Sequence, residues 1–369
     1  MSYKIHMDGY AEPRTVFQIE ALHAWKHKQY FAPVIVEVSP VGYCNQKCKF
    51  CYSDKIETKG DKIPDAILTR LFCDLAGMGV QAVSLQGTGE PLMHGGLPDA
   101  IVAGAGKGLR YSLTTTGVVF TEKIQSRILQ HLTFMKCSVL ENDRDRYALM
   151  HGCSPKQWDQ LIANLGAAAN RRSREGLDVA LMGTVYVELN NFDRLPQIIR
   201  FYRDLGLDYI VVQEATYTEF TPSNQSRNTS EHFTTAEIDA MKAEVLKLNT
   251  EDFTVKVRFP VDDTSYHVGM YKDCWKDDHC QGIKFFPLVA ADGNVYSCYR
   301  AWGKSEFSMG SLHTQSFEEI WRGERRQEVE RQIMGTPPGG DECAVCGISK
   351  LNDILSKYEQ PNKWRSFLI

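Results

Sequence analysis

The sequence predicts an α/β fold in which parallel strands alternate with helices. Six short apolar segments with strand character, from Val34–Val38 to Tyr209–Gln213, alternate with amphipathic segments of helical periodicity. Cysteines gather in two sets, one directly after the first predicted strand and one in the last hundred residues. Glycine-rich or polar segments follow the strands, at the ends where parallel α/β barrels carry their chemistry. Six strand–helix units are fewer than the eight of a complete TIM barrel.

The other elements follow from periodicity and from helix end signals. Pro64 suits a first helical position and Gly77 a helix end, so the first long helix is predicted over Ile63–Met78. Thr234 with Glu237 forms a capping-box signal for a helix that runs to about Leu248. The remaining strands are Val80–Gln86, Leu109–Thr114, Thr133–Val139, Val179–Val187 and Phe253–Phe259; the remaining helices are Val16–Lys28, Leu97–Lys107, Phe120–His131, Pro155–Arg174, Arg194–Leu205 and Ser316–Gln332.

Composition excludes several broad classes of function. A net charge of −4 over 369 residues gives no general electrostatic reason to bind nucleic acid. No run of 18 apolar residues predicts a membrane span, and the first residues lack the apolar segment of a signal peptide. We therefore expect a cytoplasmic protein. In that compartment, 11 cysteines favour metal binding over disulfides.

The first cysteine set is a compact triplet. Cys44, Cys48 and Cys51 stand in the pattern C-x3-C-x2-C, with Phe50 directly before the last thiol. Three thiolates can hold three corners of a cubane iron–sulfur cluster and leave one iron open for chemistry. A zinc knot and three unrelated core thiols are the alternatives, although zinc sites usually use C-x2-C pairs.

This pattern resembles the signature of the radical SAM superfamily. The resemblance implies a partial (β/α)6 TIM-like barrel with an open side. It also implies a 4Fe-4S cluster that binds S-adenosylmethionine, takes one electron from a donor such as flavodoxin or ferredoxin, and generates a 5′-deoxyadenosyl radical. That radical would remove a hydrogen atom from a substrate.

Three further segments resemble parts of the same family. Gly87, Gly89 and Glu90 look like its glycine–glutamate segment, in which the acid holds the methionyl amine, although a plain βα turn is the alternative. Thr116 stands where the family often has asparagine. Ser138, at the end of the fourth strand, would meet the ribose or the methionyl carboxylate. With Phe50, these are the predicted cofactor-binding residues.

The second cysteine set resembles the SPASM and twitch modules of that family. The module is marked by a D-G-x-V-x-x-C hairpin at Asp292–Cys298 and an F-x-x-I-W helix at Phe317–Trp321. No cysteine follows Cys346, which is closer to the twitch form with one auxiliary 4Fe-4S cluster. Four thiolates can equally bind structural zinc. The predicted ligands are Cys280, Cys298, Cys343 and Cys346; Cys274 is a fifth candidate, and the role of Cys153 is open.

These signals divide the chain into five parts. We expect an N-terminal extension at 1–30, the barrel at 31–220, a connecting loop, helix and strand at 221–260, the auxiliary-cluster domain at 261–350 and a tail at 351–369. The polar stretch 217–233 is either a surface loop or a lid over the barrel.

The substrate carries no motif. Twitch enzymes suggest oxidation of a polar small molecule (a sugar, cyclitol or nucleoside-like compound), with the auxiliary cluster as electron acceptor and Glu188, Glu214 and Arg258 as candidate proton handlers. The alternatives are epimerisation or decarboxylation in natural-product biosynthesis, peptide or protein modification, and a non-catalytic iron–sulfur or zinc protein. An electron carrier, however, has no need of an open iron.

Overall fold

A computed structural model describes residues 19–51, 60–214, 232–258 and 280–335, together with Pro338, Leu351, Asn352 and Leu355. Cys274, Cys343, Cys346 and most of the predicted lid lie outside the described residues. The described strands form one sheet in the order β10-β9-β8-β1-β2-β3-β4-β5-β6-β7. Their bounds are β1 Ile35–Val38, β2 Ala82–Leu85, β3 Arg110–Thr115, β4 Leu132–Ser138, β5 Ala180–Val187, β6 Tyr209–Glu214, β7 Thr254–Arg258, β8 Leu288–Val289, β9 Asn294–Tyr296 and β10 Gly310–Ser311.

The predicted α/β class is confirmed. Strands β1 to β6 are parallel and neighbour one another in chain order, with a helix after each of the first five. The strand predicted at Phe253–Phe259 joins this series as β7, parallel to β6. In the part of the chain that the structure describes, β7 thus extends the parallel series β1 to β6 by one strand, because the helix Thr235–Leu246 supplies one more crossover.

The C-terminal part adds to the opposite edge of the same sheet. Strand β8 pairs in parallel with β1, and β9 returns antiparallel to β8 through the predicted hairpin. Gly293 in that turn has a φ of +81°, a conformation that glycine adopts without strain. The hairpin that leads to Cys298 is thus joined to the strand that leads to Cys44.

The helices follow the predictions with a few differences. Their bounds are Ile19–Lys26, Asp65–Gly77, Leu97–Ala105, Glu122–Ile128, Arg144–His151, Pro155–Glu175, Leu195–Asp204, Thr235–Leu246, Phe317–Arg322 and Glu324–Gly335. Pro64 caps its helix from an extended conformation instead of occupying the first turn. Gly323 divides the single helix predicted over Ser316–Gln332. No sequence pattern predicted the helix Arg144–His151, because its sequence is largely polar. Asp143 is its N-cap, and its side chain accepts hydrogen bonds from the N–H groups of Asp145 and Arg146.

The two faces of the sheet differ in polarity. Outward side chains such as Val38 and Leu85 pack with the helices into a large apolar core. A smaller apolar cluster of Phe134, Ala180, Met182, Tyr209 and Val211 forms separately on strands β4 to β6. None of the described helices has the length and apolar character that a membrane crossing requires.

A buried ion pair ties the loop after β4 to the helix after β5. The Glu141 carboxylate is fully buried and accepts two hydrogen bonds from Arg194 Nη2, at 2.8 and 2.7 Å. Removing the cation leaves the buried carboxylate uncompensated. We expect Arg194→Met to lower the free energy of unfolding by about 3 kcal/mol in urea denaturation.

The matched control is Arg171→Met, which breaks an exposed i,i+4 pair with Glu175. That change should leave the denaturation midpoint almost unmoved. Equal midpoints for the two variants would contradict the stabilising role of the Glu141–Arg194 pair.

Candidate active site

One cavity of about 470 Å³ opens where the parallel strands end. It collects the first cysteine set and every predicted cofactor-binding residue, although the binding roles of these residues stay predictions. Its lining comprises Gly42, Tyr43, Cys44, Gln46, Lys47, Cys48, Phe50, Cys51, Gln86, Gly87, Thr88, Gly89, Glu90, Thr114, Thr115, Thr116, Lys136, Ser138, His151, Thr184 and Tyr186.

The loop that carries the triplet, residues 41–51, is called the cysteine loop. It is anchored by the C-terminal end of the helix Arg144–His151. Lys47 N–H donates to the His151 carbonyl and Lys49 N–H to the Met150 carbonyl, both at 3.0 Å. Gly152 caps the helix with a φ of +56°, and a Cβ there would lie 2.2 Å from the Lys47 carbonyl oxygen. Glycine is therefore required at this position both by the turn and by the loop that packs on it.

Gln46 lies at the centre of the polar contacts inside the loop. Its Nε2 donates to the Tyr147 hydroxyl at 3.0 Å, and its Oε1 lies 2.9 Å from Nδ1 of His151. The Cys48 sulfur lies 3.4 Å from the same His151 nitrogen. Complete burial lowers the pKa of His151 to about 3, so the ring is neutral and has one N–H. Because the Gln46 carbonyl oxygen can only accept a hydrogen bond, we place the ring proton on Nδ1 of His151. The same N–H can also donate to the Cys48 sulfur.

The thiols are in surroundings that disfavour the bare thiolate. Cys44 is exposed at the cavity mouth, yet protein packed around its sulfur, followed by Glu90 and Cys51, raises its pKa to about 12. Burial and the neighbouring thiols also raise the pKa of Cys48. A cationic iron centre reverses this penalty because ligation stabilises the thiolate.

The triplet places three thiols in the lining of one cavity. In a cubane each thiolate ligand binds a different iron. The donor set and its shared cavity therefore fit a 4Fe-4S cluster.

The glycines after β2 serve the packing of two loops. A Cβ at Gly89 would lie 2.4 Å from the Tyr43 carbonyl oxygen, and one at Gly87 would lie 2.2 Å from Ser39 Oγ. We predicted that these glycines let the backbone approach a ligand. In the structure, Gly89 lies against the backbone of the cysteine loop and Gly87 against the Ser39 side chain, and the approach to a ligand stays a prediction.

Glu90 joins the ends of β2 and β3. Its buried carboxylate accepts hydrogen bonds from Leu92 N–H at 3.0 Å, Thr115 Oγ1 at 2.6 Å and Thr116 N–H at 2.5 Å. Burial raises its pKa in spite of these donors. Thr116 also donates from Oγ1 to Asn45 Oδ1 in the cysteine loop, at 3.3 Å. A cationic ligand in the cavity would offset part of the cost of burying this carboxylate.

Several residues were placed less well by sequence reasoning. Glu188, Glu214 and Arg258, the candidate proton handlers, are not in the cavity lining. Gln46 and His151 were missed, because their contacts join positions about a hundred residues apart. Only the i,i+4 spacing of Tyr147 and His151, whose rings stack at 3.9 Å, offered a local signal.

Two ligands of the predicted auxiliary site are described, and both are buried. Cys280 Sγ accepts from Asn352 Nδ2 at 3.3 Å, and Cys298 Sγ accepts from Arg300 N–H at 3.3 Å. Hydrogen bonds of this kind are common around iron–sulfur ligands. The convergence of these two thiols with Cys343 and Cys346 lies outside the described residues.

Comparisons with known proteins support this interpretation. Residues 280–347 match the SPASM family, described as an iron-sulfur cluster-binding domain. The chain is similar to the tungsten-containing aldehyde ferredoxin oxidoreductase cofactor-modifying protein of Pyrococcus furiosus, with 20% identity over 76% of this chain and 79% of the relative. It is also similar to Fe-coproporphyrin III synthase of Methanosarcina barkeri, with 22% identity over 82% of this chain and 78% of the relative.

The fold is shared with a solved structure of Streptococcus suis SuiB. The form bound to S-adenosylmethionine matches with a TM-score of 0.65 and 15% identity, over 95% of this chain and 79% of SuiB. The form bound to the precursor peptide SuiA matches with the same TM-score over 91% of this chain and 75% of SuiB. At this level of identity the likeness is one of fold.

The Gly152 contact makes a prediction about metal loading. Gly152→Ala should displace the Lys47 carbonyl and with it the cysteine loop. We expect the reconstituted variant to lose at least half of its iron from the triplet, measured by iron content and by absorbance near 400 nm. Gly176→Ala is the matched control, since Gly176 caps a helix with a φ of +62° and has no atom within 4 Å of a Cβ.

Both changes place alanine in a left-handed conformation, which costs roughly 1 kcal/mol of stability. Only the change at Gly152 should reduce iron. Iron lost equally from both variants would show that the backbone strain matters and the loop contact does not.

The match over 280–347 supplies the cluster-binding domain, and the barrel end supplies three thiols beside a buried glutamate in one cavity. Both parts belong to one continuous sheet. Together these findings support a radical SAM enzyme with a C-terminal SPASM domain, for which 4Fe-4S clusters and S-adenosylmethionine are the cofactors.

Proposed function

We propose that the protein cleaves S-adenosylmethionine reductively and uses the resulting radical to remove a hydrogen atom from a polar small molecule. The observation that carries the proposal is the single cavity that holds the cysteine triplet, Glu90 and the polar ends of β3 to β5. When bound, the cluster and its nucleotide supply a 5′-deoxyadenosyl radical, which becomes 5′-deoxyadenosine on taking the hydrogen atom.

Different residues of the chain would bind the cluster and the nucleotide. Cys44, Cys48 and Cys51 would hold the cluster, and Glu90 offers a buried carboxylate to the methionyl ammonium. Thr116 and Ser138 present hydroxyls to the rest of the nucleotide.

An apolar wall protects the same space from water. Phe50 packs with Leu140, Met150 and the side chain of Tyr186, and the Phe50 ring lies 4.9 Å from the Tyr186 ring. A closed, apolar site limits side reactions of a reactive intermediate.

The fate of the substrate radical depends on the second cysteine set. We propose that Cys280, Cys298, Cys343 and Cys346 hold the auxiliary cluster. The substrate radical would lose a proton and pass one electron to this cluster, so the net reaction is a two-electron oxidation of a sugar, cyclitol or nucleoside-like compound. An epimerase or a decarboxylase in a biosynthetic pathway could use the same cavity. The first electron would come from a flavodoxin or a ferredoxin.

Modification of a peptide or protein is the second candidate. The observation in its favour is the fold shared with SuiB, which binds a precursor peptide. The polar inner face of the barrel favours a small polar substrate instead. A candidate peptide that stimulates 5′-deoxyadenosine formation and gains or loses mass would favour this alternative.

The central prediction concerns the triplet. Single changes Cys44→Ala, Cys48→Ala and Cys51→Ala should each abolish dithionite-dependent 5′-deoxyadenosine release, measured by chromatography under anaerobic conditions. Iron should fall from about eight to about four per chain, since the auxiliary cluster remains.

Cys73→Ala is the control, because Cys73 lies on the helix Asp65–Gly77 and not in the cavity lining. It should keep both the iron and the activity. Release of 5′-deoxyadenosine by any of the three triplet variants would contradict the proposed function.

A further inference from the structure

The floor of the barrel contains a lysine that no step so far employs. Lys136 is on β4, two residues before Ser138 and on the same face of the strand, and it lines the cavity. Two residues of strand put it roughly 6.6 Å deeper than Ser138. The Lys136 backbone therefore lies deeper along β4 than Ser138, which ends the strand.

The Lys136 ammonium has no counterion in contact. Among the described residues it makes neither a hydrogen bond nor an ion pair. Burial lowers its pKa, Arg258 on β7 lowers it further, and Glu37 on β1 acts in the opposite direction. Lys136 is half-buried and lines the cavity, so an anionic ligand in the cavity could supply the partner that the ammonium lacks among the described residues.

Glu37 does not fill this role. Its Oε2 accepts a hydrogen bond of 2.6 Å from Gln86 Nε2, and no contact within ion-pair distance joins it to Lys136. Burial raises the pKa of Glu37, whereas the Gln86 hydrogen bond and the Lys136 charge lower it. Among the described residues, Lys136 is thus a cation of the cavity lining without a carboxylate in ion-pair contact.

The polar layer around Lys136 is built to receive oxygen atoms. Thr114 Oγ1 donates to Gln86 Oε1 at 3.4 Å, and the hydroxyls of Thr184 and Ser138 belong to the same lining. The apolar side chain of Met182 is in register with Lys136, and Phe134 lies two residues before Lys136 on the same face of β4.

We propose that the substrate carries an anionic group, a carboxylate or a phosphate, which binds Lys136 at the floor of the barrel. The proposal rests on the proposed function, because it places the substrate beneath the nucleotide that the cysteine loop holds. It narrows the substrate class to polar small molecules that carry a negative charge, and it orients them with that charge away from the cluster.

The test measures the binding of two anions to the anaerobically reconstituted protein with S-adenosylmethionine present. Citrate and pyrophosphate, titrated separately by calorimetry, distinguish a carboxylate from a phosphate site. We expect one of them to bind with one site per chain. Lys136→Met should weaken that binding at least tenfold, while Lys136→Arg keeps it within a few-fold. Lys123→Met, which removes an exposed lysine of the helix Glu122–Ile128, is the control and should bind as the wild type does.

Other outcomes overturn the proposal. Equal affinity in Lys136→Met and the wild type, or no binding of either anion to the wild type, shows that Lys136 receives no substrate anion. A loss of S-adenosylmethionine affinity in Lys136→Met assigns the lysine to the cofactor instead. Lys136→Gln repeats the measurement should the methionine variant fold poorly.

The proposed function is tested separately in the same samples. Release of 5′-deoxyadenosine without substrate should be measurable in the wild type and, at the same rate, in the control Lys123→Met. Failure of that reaction in the wild type would refute the proposed function and would leave the anion result standing by itself.

Discussion

The close docking of the cysteine loop onto its neighbours is the constraint on which the site depends. The loop has no regular secondary structure of its own, so its backbone groups must find partners elsewhere. They find them in the carbonyls at the end of the helix Arg144–His151 and in the segment after β2, where Glu90 N–H donates to the Tyr43 carbonyl at 3.0 Å. Gly89 and Gly152 make both approaches possible because neither has a Cβ.

Three ionisable side chains at the barrel end are removed from water to a large extent. Glu90, Glu37 and Lys136 all have pKa values that burial moves toward the neutral form. Such shifts are common where a protein prepares a site for a charged ligand. A cationic nucleotide near Glu90 and an anionic substrate group near Lys136 would each relieve one of these costs, and together they would hold the reacting atoms between them.

One sheet contains the strands that lead to the two cysteine sets. Ser39, which follows β1, donates its N–H to the Val289 carbonyl of β8 at 2.9 Å. The chain passes from β1 to Cys44 on one side of this pairing and from β9 to Cys298 on the other. A shared sheet fixes the relative position of the two strands, which suits electron transfer between a substrate in the barrel and an auxiliary cluster.

Local patterns in the sequence determined the α/β class, the strand and helix order, and the cysteine spacings. These are recognisable without a structure because strand periodicity, capping residues such as Thr234, and the C-x3-C-x2-C spacing involve only residues near one another in the chain. Only the tertiary structure decided that β7 and β8 extend the two sides of the β1–β6 series, that Gly152 packs on Lys47, and that Lys136 faces the cavity without a counterion among the described residues. Each of these contacts joins segments far apart in sequence, so its energy comes from packing and burial, which no local pattern records.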